Sequence, residues 1–174
     1  MPEVHATGQL PTVEVDLTVN GHPRRVRVEP RKTLTDTIRE DLRLTGTHAA
    51  CEHGVCGSCT ILLDGDAVRS CLLLGVQAEG AHITTVEGLA SDATELTPVQ
   101  RAFRECHGLQ CGFCTPGFER SVTALLESNP LPTDEEIRAG ISGNLCRCTG
   151  YQGIVRAVRR ASEIIAAEGR GEGV

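Results

Sequence analysis

Residues 51–59 read CEHGVCGSC: three cysteines in the spacing C-x4-C-x2-C, with Cys71 twelve positions further on. That spacing suits a loop wrapped around a 2Fe-2S cluster. Two irons need four thiolates. Cys51, Cys56 and Cys59 come from one loop, and Cys71 comes from a separate segment. Backbone N–H groups near the sulfurs stabilise the reduced, more negative cluster and raise its potential. Gly54 and Gly57 let the backbone approach closely enough to supply them. The competing reading is a four-cysteine zinc site. Zinc usually takes C-x2-C knuckles, which only Cys56 and Cys59 match. His48 and His53 flank the loop and read as surface or hydrogen-bonding histidines, because four cysteines are already present.

Upstream, TVEVDLTVNGHPRRVRVE alternates apolar and polar residues and turns at Asn20-Gly21, a dipeptide that tolerates positive φ. This predicts strands near 11–19 and 23–29. TLTDTIREDLRLTG places Leu34, Ile38 and Leu42 on one helical face, with Thr33 or Thr35 as N-cap. Behind the cysteine loop, TILLDGDAVRSCLLL reads as a hairpin about Asp64-Gly65, and HITTVEGL as a last short strand. That order of elements is a small α+β domain.

Beyond about residue 88 the pattern becomes helical. TPVQRAFREC opens with Thr97 as N-cap and Pro98 at the first helical position, and Gly108 can end it. TPGFERSVTALLES repeats the device with Thr115 and Pro116, and Asn129-Pro130 stops it. TDEEIRAG carries a capping box of Thr133 and Glu136. YQGIVRAVRRASEIIAAE puts Ile154, Val158, Ala161 and Ile165 on one face. Four short helices predict a small bundle. The change of character puts a boundary within 76–96. The expected division is an extension at 1–10, a first domain at 11–86, a helical domain at 87–168 and a tail at 169–174.

A second cysteine group falls in the helical part. QCGFCTPGF (110–118) carries Cys111 and Cys114, and SGNLCRCTG (142–150) carries Cys146 and Cys148. Each pair lies just before a predicted helix, where free N–H groups and the helix dipole favour thiolates. The C-x-C pair suits two thiolates gripping one iron with Arg147 turned outward, and Gly143 and Gly150 give the loop freedom. On the residues alone this is a four-cysteine metal site, either 2Fe-2S or a zinc ribbon. Cys106, on the apolar face of its helix, reads as a buried thiol packing as a small hydrophobe.

The 174 residues include three Phe, one Tyr and no Trp, so the core must be built from aliphatic side chains. A small core of that kind gains from a metal staple. The net charge of −6, without a basic run, argues against nucleic acid. The first residues show no apolar signal segment, and the longest apolar runs, TILL and CLLLGV, are too short to span a membrane. The chain is expected in the cytoplasm, where nine cysteines are better metal ligands than disulfides.

Taken together, CEHGVCGSC, QCGFCTPGF and SGNLCRCTGY resemble the iron–sulfur subunit of the xanthine-oxidase family of molybdenum hydroxylases, in the right order from about residue 11 to 165. The resemblance implies a fold of class α+β: an N-terminal β-grasp, 2Fe-2S ferredoxin-like domain followed by a C-terminal four-helix-bundle 2Fe-2S domain. It implies that Cys51, Cys56, Cys59 and Cys71 hold an outer cluster, and that Cys111, Cys114, Cys146 and Cys148 hold an inner one. It further implies that Gln110 and Cys148 contact the pterin of a molybdenum cofactor, expected as molybdopterin cytosine dinucleotide, on a large partner subunit. A medium FAD subunit and a dimer of heterotrimers are the expected assembly. The subunit would relay electrons from molybdenum through both clusters to flavin or another acceptor. This chain departs from the family pattern at Glu119 and Arg120, where relatives tend to carry an apolar residue and Met, and at Ala50, where Gly is common. CEHG in place of the CDTS of carbon-monoxide-oxidising relatives points to an organic substrate.

Overall fold

The computed structural model describes residues 10–90 and 95–169. Most of the expected N-terminal extension and C-terminal tail lie outside the described residues. Strands β1 (Val13–Val19) and β2 (His22–Val28) form the first hairpin. Its turn residues take positive φ, 51° at Asn20 and 78° at Gly21. Val15, Leu17 and Val19 point inward from β1. β3 (Thr60–Leu63) and β4 (Asp66–Arg69) form the second hairpin, and β5 (His82–Thr84) completes the sheet. The order is β2-β1-β5-β3-β4. β5 runs parallel to β1 and antiparallel to β3.

One helix packs on this sheet. It begins as α1 (Leu34–Asp36) and continues as a π-turn over Thr37–Asp41. Thr33 is the cap, its hydroxyl accepting from the Asp36 N–H at 3.1 Å. The expected regular helix widens after Thr37, so the Leu42 N–H reaches back to the Thr37 carbonyl at 3.0 Å. Leu34 and Ile38 are fully buried against Val15, Val28, Ile61 and Ile83. Burial of each such side chain contributes roughly 1.5–3 kcal/mol. Sheet and helix make the β-grasp domain.

The helical part comprises α2 (Pro98–Glu105), α3 (Thr115–Ser128), α4 (Asp134–Ile141) and α5 (Gln152–Glu168). Its core gathers Phe103, Phe118, Val122, Ile137, Ile154, Val158 and Ala161. Thr97 and Thr133 cap α2 and α4 as expected, each with a reciprocal Gln100 or Glu136 bond. Among the described residues, no helix is long and apolar enough to cross a membrane.

Four further local expectations change. The second hairpin stops at Arg69, and Cys71 lies in a 3-10 turn over Ser70–Leu72. Thr115 is not a cap: α3 starts at Thr115 itself, with Cys114 in the N-cap position. At the end of α2, His107 rather than Gly108 takes the left-handed conformation, at φ 52°. Cys106 is half-buried at the helix end, packed against the core rather than inside it.

Helix α3 joins the two parts. One side packs into the helical core, and the other lies on β3 and β4. Two-sided packing explains why Glu119 and Arg120 are buried despite their charge.

Candidate metal centres

The first cysteine group is held by a loop that runs from the end of the π-turn to β3 and contains neither helix nor strand. Such a long irregular loop is usually functional. It folds back on itself: the Cys56 N–H points at Cys51 Sγ, 3.4 Å away. N–H groups of Cys56 and His53 pull the Cys51 thiol down to about 6. The opposite holds at Cys71, where burial and then the neighbouring Cys59 thiol push the value up to about 11. The four sulfurs thus come in two pairs, Cys51 with Cys56 and Cys59 with Cys71. His53 Nδ1 binds the Cys51 carbonyl. His48 Nδ1 donates to the Phe113 carbonyl at 2.6 Å and stacks on the Phe113 ring. Both histidines are hydrogen-bonding residues, as expected.

The second group closes between the start of α3 and the loop before α5. Cys148 Sγ lies 3.5 Å from Cys111 Sγ. Cys146 pairs with Cys114. The pairing runs across the two motifs, one sulfur from each, and not within C-x-C as the spacing suggested. Residues i and i+2 share a face in extended backbone, but the chain bends at Arg147, which lets Cys146 and Cys148 face different partners. Cys111 and Cys148 are exposed, while Cys114 and Cys146 pack against the helical core. Burial, then the Cys146 sulfur, pushes Cys114 up to about 12. Burial acts the same way on Cys146, but the Thr149 hydroxyl and amide outweigh it and hold that thiol below its ordinary value. Gln110 is exposed next to Cys111, on the same edge as Cys148.

Among the described residues, no three His, Cys, Asp or Glu side chains converge as ligands of a single ion. The sulfurs stand two by two, an all-thiol donor set with N–H groups aimed at some of them. That set fits a binuclear iron–sulfur cluster, whose irons each take two thiolates.

The two groups are tied together by residues that sequence reading passed over. The Leu145 N–H donates to the Cys56 carbonyl at 2.9 Å. Asn144 is buried; its Nδ2 donates to the Gly57 carbonyl at 3.0 Å, and its Oδ1 accepts from Ser121 Oγ at 2.8 Å. Arg69 bridges Thr60 Oγ1 at 2.8 Å and the Gly143 carbonyl at 2.5 Å. Gly57 needs its φ of 74°, and a Cβ there would strike the Gly143 carbonyl and the Asn144 amide. Gly143 has an ordinary φ; its lack of a side chain makes room for the Arg69 guanidinium.

Fold and site define a two-cluster iron–sulfur electron carrier. Residues 17–90 match the family described as a 2Fe-2S iron-sulfur cluster binding domain, and residues 85–159 a 2Fe-2S binding domain. The chain is 60% identical over 146 residues to the nicotine 6-hydroxylase small subunit of Paenarthrobacter nicotinovorans, covering 84% of this chain and 87% of that one. It is 54% identical over 151 residues to caffeine dehydrogenase subunit gamma of Pseudomonas sp. (strain CBB1), covering 85% and 90%. A chain of quinoline 2-oxidoreductase from Pseudomonas putida 86 superposes with a TM-score of 0.86 at 49% identity, covering 90% of this chain and 97% of that one. The chain belongs to the small iron–sulfur subunits of the xanthine-oxidase family of molybdenum hydroxylases.

Proposed function

We propose that this chain is the electron-transfer subunit of a multi-subunit molybdenum hydroxylase in the cytoplasm. Cys51, Cys56, Cys59 and Cys71 hold the outer 2Fe-2S cluster, with Cys51 and Cys56 on one iron and Cys59 and Cys71 on the other. Cys111 and Cys148 share one iron of the inner cluster, and Cys114 and Cys146 share the other. When bound, the clusters supply one-electron steps between a molybdenum–pterin centre and a flavin or other acceptor. Gln110 can present donors and an acceptor to a pterin edge, next to the exposed Cys111 and Cys148. The partners are a large molybdenum–pterin subunit and a medium FAD subunit, assembled as a dimer of heterotrimers. Nicotine and caffeine, in the names of two relatives, support a nitrogen-heterocyclic organic substrate, oxidised on the partner subunit.

One observation carries this reading. The exposed Cys111 and Cys148 lie on one edge of the inner group, and the half-buried Cys146 lies on the other. Cys146 follows Leu145, whose amide is bonded to the carbonyl of Cys56. Among the hydrogen bonds between the two groups, this one joins backbone directly next to a cysteine on each side. The deciding experiment is iron, acid-labile sulfide and zinc per chain, on protein purified with its natural companions. About four iron and four sulfide per chain are expected, with molybdenum and flavin on the co-purifying chains. About two iron and one zinc would overturn the inner centre and the relay with it.

A further inference from the structure

Cys146 closes a ring of hydrogen bonds with Thr149 and Tyr151. The Cys146 N–H donates to Tyr151 Oη at 3.0 Å. The Tyr151 N–H donates to Thr149 Oγ1 at 3.2 Å. The Thr149 hydroxyl donates to Cys146 Sγ at 3.1 Å, and the Thr149 N–H points at the same sulfur from 3.4 Å. The ring fixes the direction of the hydroxyl. Its oxygen already accepts the Tyr151 N–H, which leaves its proton for the sulfur. Tyr151 reaches this position through a left-handed backbone, φ 68°. A bulky residue rarely takes that conformation unless its surroundings hold it there. The sulfur is half-buried against the helical core, where a hydrogen bond is stronger than in water.

Resting on the ligand set proposed above, we infer that Thr149 is a positioning residue for electron transfer. Its hydroxyl fixes the Cys146 sulfur and raises the reduction potential of the inner cluster. Reduction adds one electron and no proton. The electron comes from the molybdenum–pterin centre of the partner, or from dithionite in the test. A donor on a ligand sulfur stabilises the added negative charge more than the oxidised state, so the potential rises. The placement also gives direction. Thr149 acts on the Cys114–Cys146 side, which faces the outer group through Leu145 and Cys56, and not on the exposed Cys111–Cys148 edge.

Thr149→Val keeps the branched shape and the backbone N–H but removes the hydroxyl, and Thr149→Ser restores it. Redox titration of the assembled complex, followed by EPR, reads each cluster separately. The inner cluster of the Val variant should titrate at a more negative potential, the Ser variant at the native value, and the outer cluster should not move. An unchanged inner potential in a fully loaded Val variant overturns the inference. Should the Val variant fail to load, pulsed EPR of the reduced native cluster in deuterated buffer decides. A strongly coupled exchangeable deuteron of hydroxyl type supports the inference, and its absence overturns it. A native complex with iron for one cluster only would instead overturn the proposed ligand set, and that outcome is read before any variant is made.

Discussion

Asn144 is buried where two loops meet, and both ends of its amide are in use. Losing it would take that partner from the buried Ser121 hydroxyl, at about 1–3 kcal/mol, while the Gly57 carbonyl would keep the Thr60 N–H and hydroxyl. Glu119 is the opposite case, a buried acid with too little support. Burial pushes its carboxyl up to about 7 from an ordinary 4.5, against the smaller lowering effects of Gln100 and Arg120. The folded state therefore binds a proton more readily than the unfolded chain. This contribution to stability is complete below pH 4.5, falls as pH rises towards 7 and is gone above it. Each pH unit of displacement corresponds to about 1.4 kcal/mol, so the full effect is about 3 kcal/mol. Glu119→Gln should raise the thermal midpoint at pH 8 and leave it nearly unchanged at pH 5. Equal gains at both values would mean that the carboxylate is ionised at no cost. Gln110 makes a different prediction, because it is exposed beside Cys111 and serves no packing. Gln110→Ala should leave iron content and thermal stability of the chain at the native level, while pterin retention or substrate-driven cluster reduction falls roughly 10–100-fold, as for a group next to a metal site. Native turnover together with native cofactor content would remove its role.

Helix α3 shows how far sequence alone carries. The N-cap of α2, the capping box of α4 and the Asn20-Gly21 and Asp64-Gly65 turns are local devices, and they form as the sequence predicts. The cysteine motifs stood out for the same reason: C-x4-C-x2-C, C-x2-C and C-x-C are each a spacing that one loop can wrap. What was not legible depends on the second face of α3. Thr115 looks like a cap in TPGF, yet the chain is already helical there, because Cys114 must turn in to meet Cys146. Glu119 and Arg120 carry charge, yet both are buried. The pairing of sulfurs across motifs is likewise a property of two loops closing on each other. Gly117 lies at the heart of this packing, in the first turn of α3 against Gly57 and Ser58. On helix propensity alone, Gly117→Ala should stabilise α3 by about 1 kcal/mol. A Cβ there would collide with the Gly57 carbonyl, which is backbone and cannot step aside cheaply. Overpacking of this kind costs about 1–3 kcal/mol, so net destabilisation is expected, seen as a lower denaturation midpoint. A gain in stability would show that α3 and β3 can part without cost.

Across the whole molecule, order is unevenly supported. The sheet and the helical core have their own ladders, caps and aliphatic packing. The two cysteine loops have few backbone bonds of their own, and together with α3 they form much of the contact between the domains. When thiolates are joined through metal, binding energy becomes folding energy, and here it would act on the segments least able to order themselves. Iron chelation should therefore act locally before it acts globally. Hydrogen exchange on the stripped chain should show lost protection over residues 45–59, 107–114 and 142–151. Protection should persist in β1, in β2 and in the C-terminal half of α5. The Leu145 and Asn144 bonds between the domains should open with the loops, since both residues precede the C-x-C pair. Uniform loss of protection would mean that the clusters hold up the whole fold. Unchanged protection in the loops would mean that their own hydrogen bonds suffice, and that the cysteines carry electrons without carrying structure.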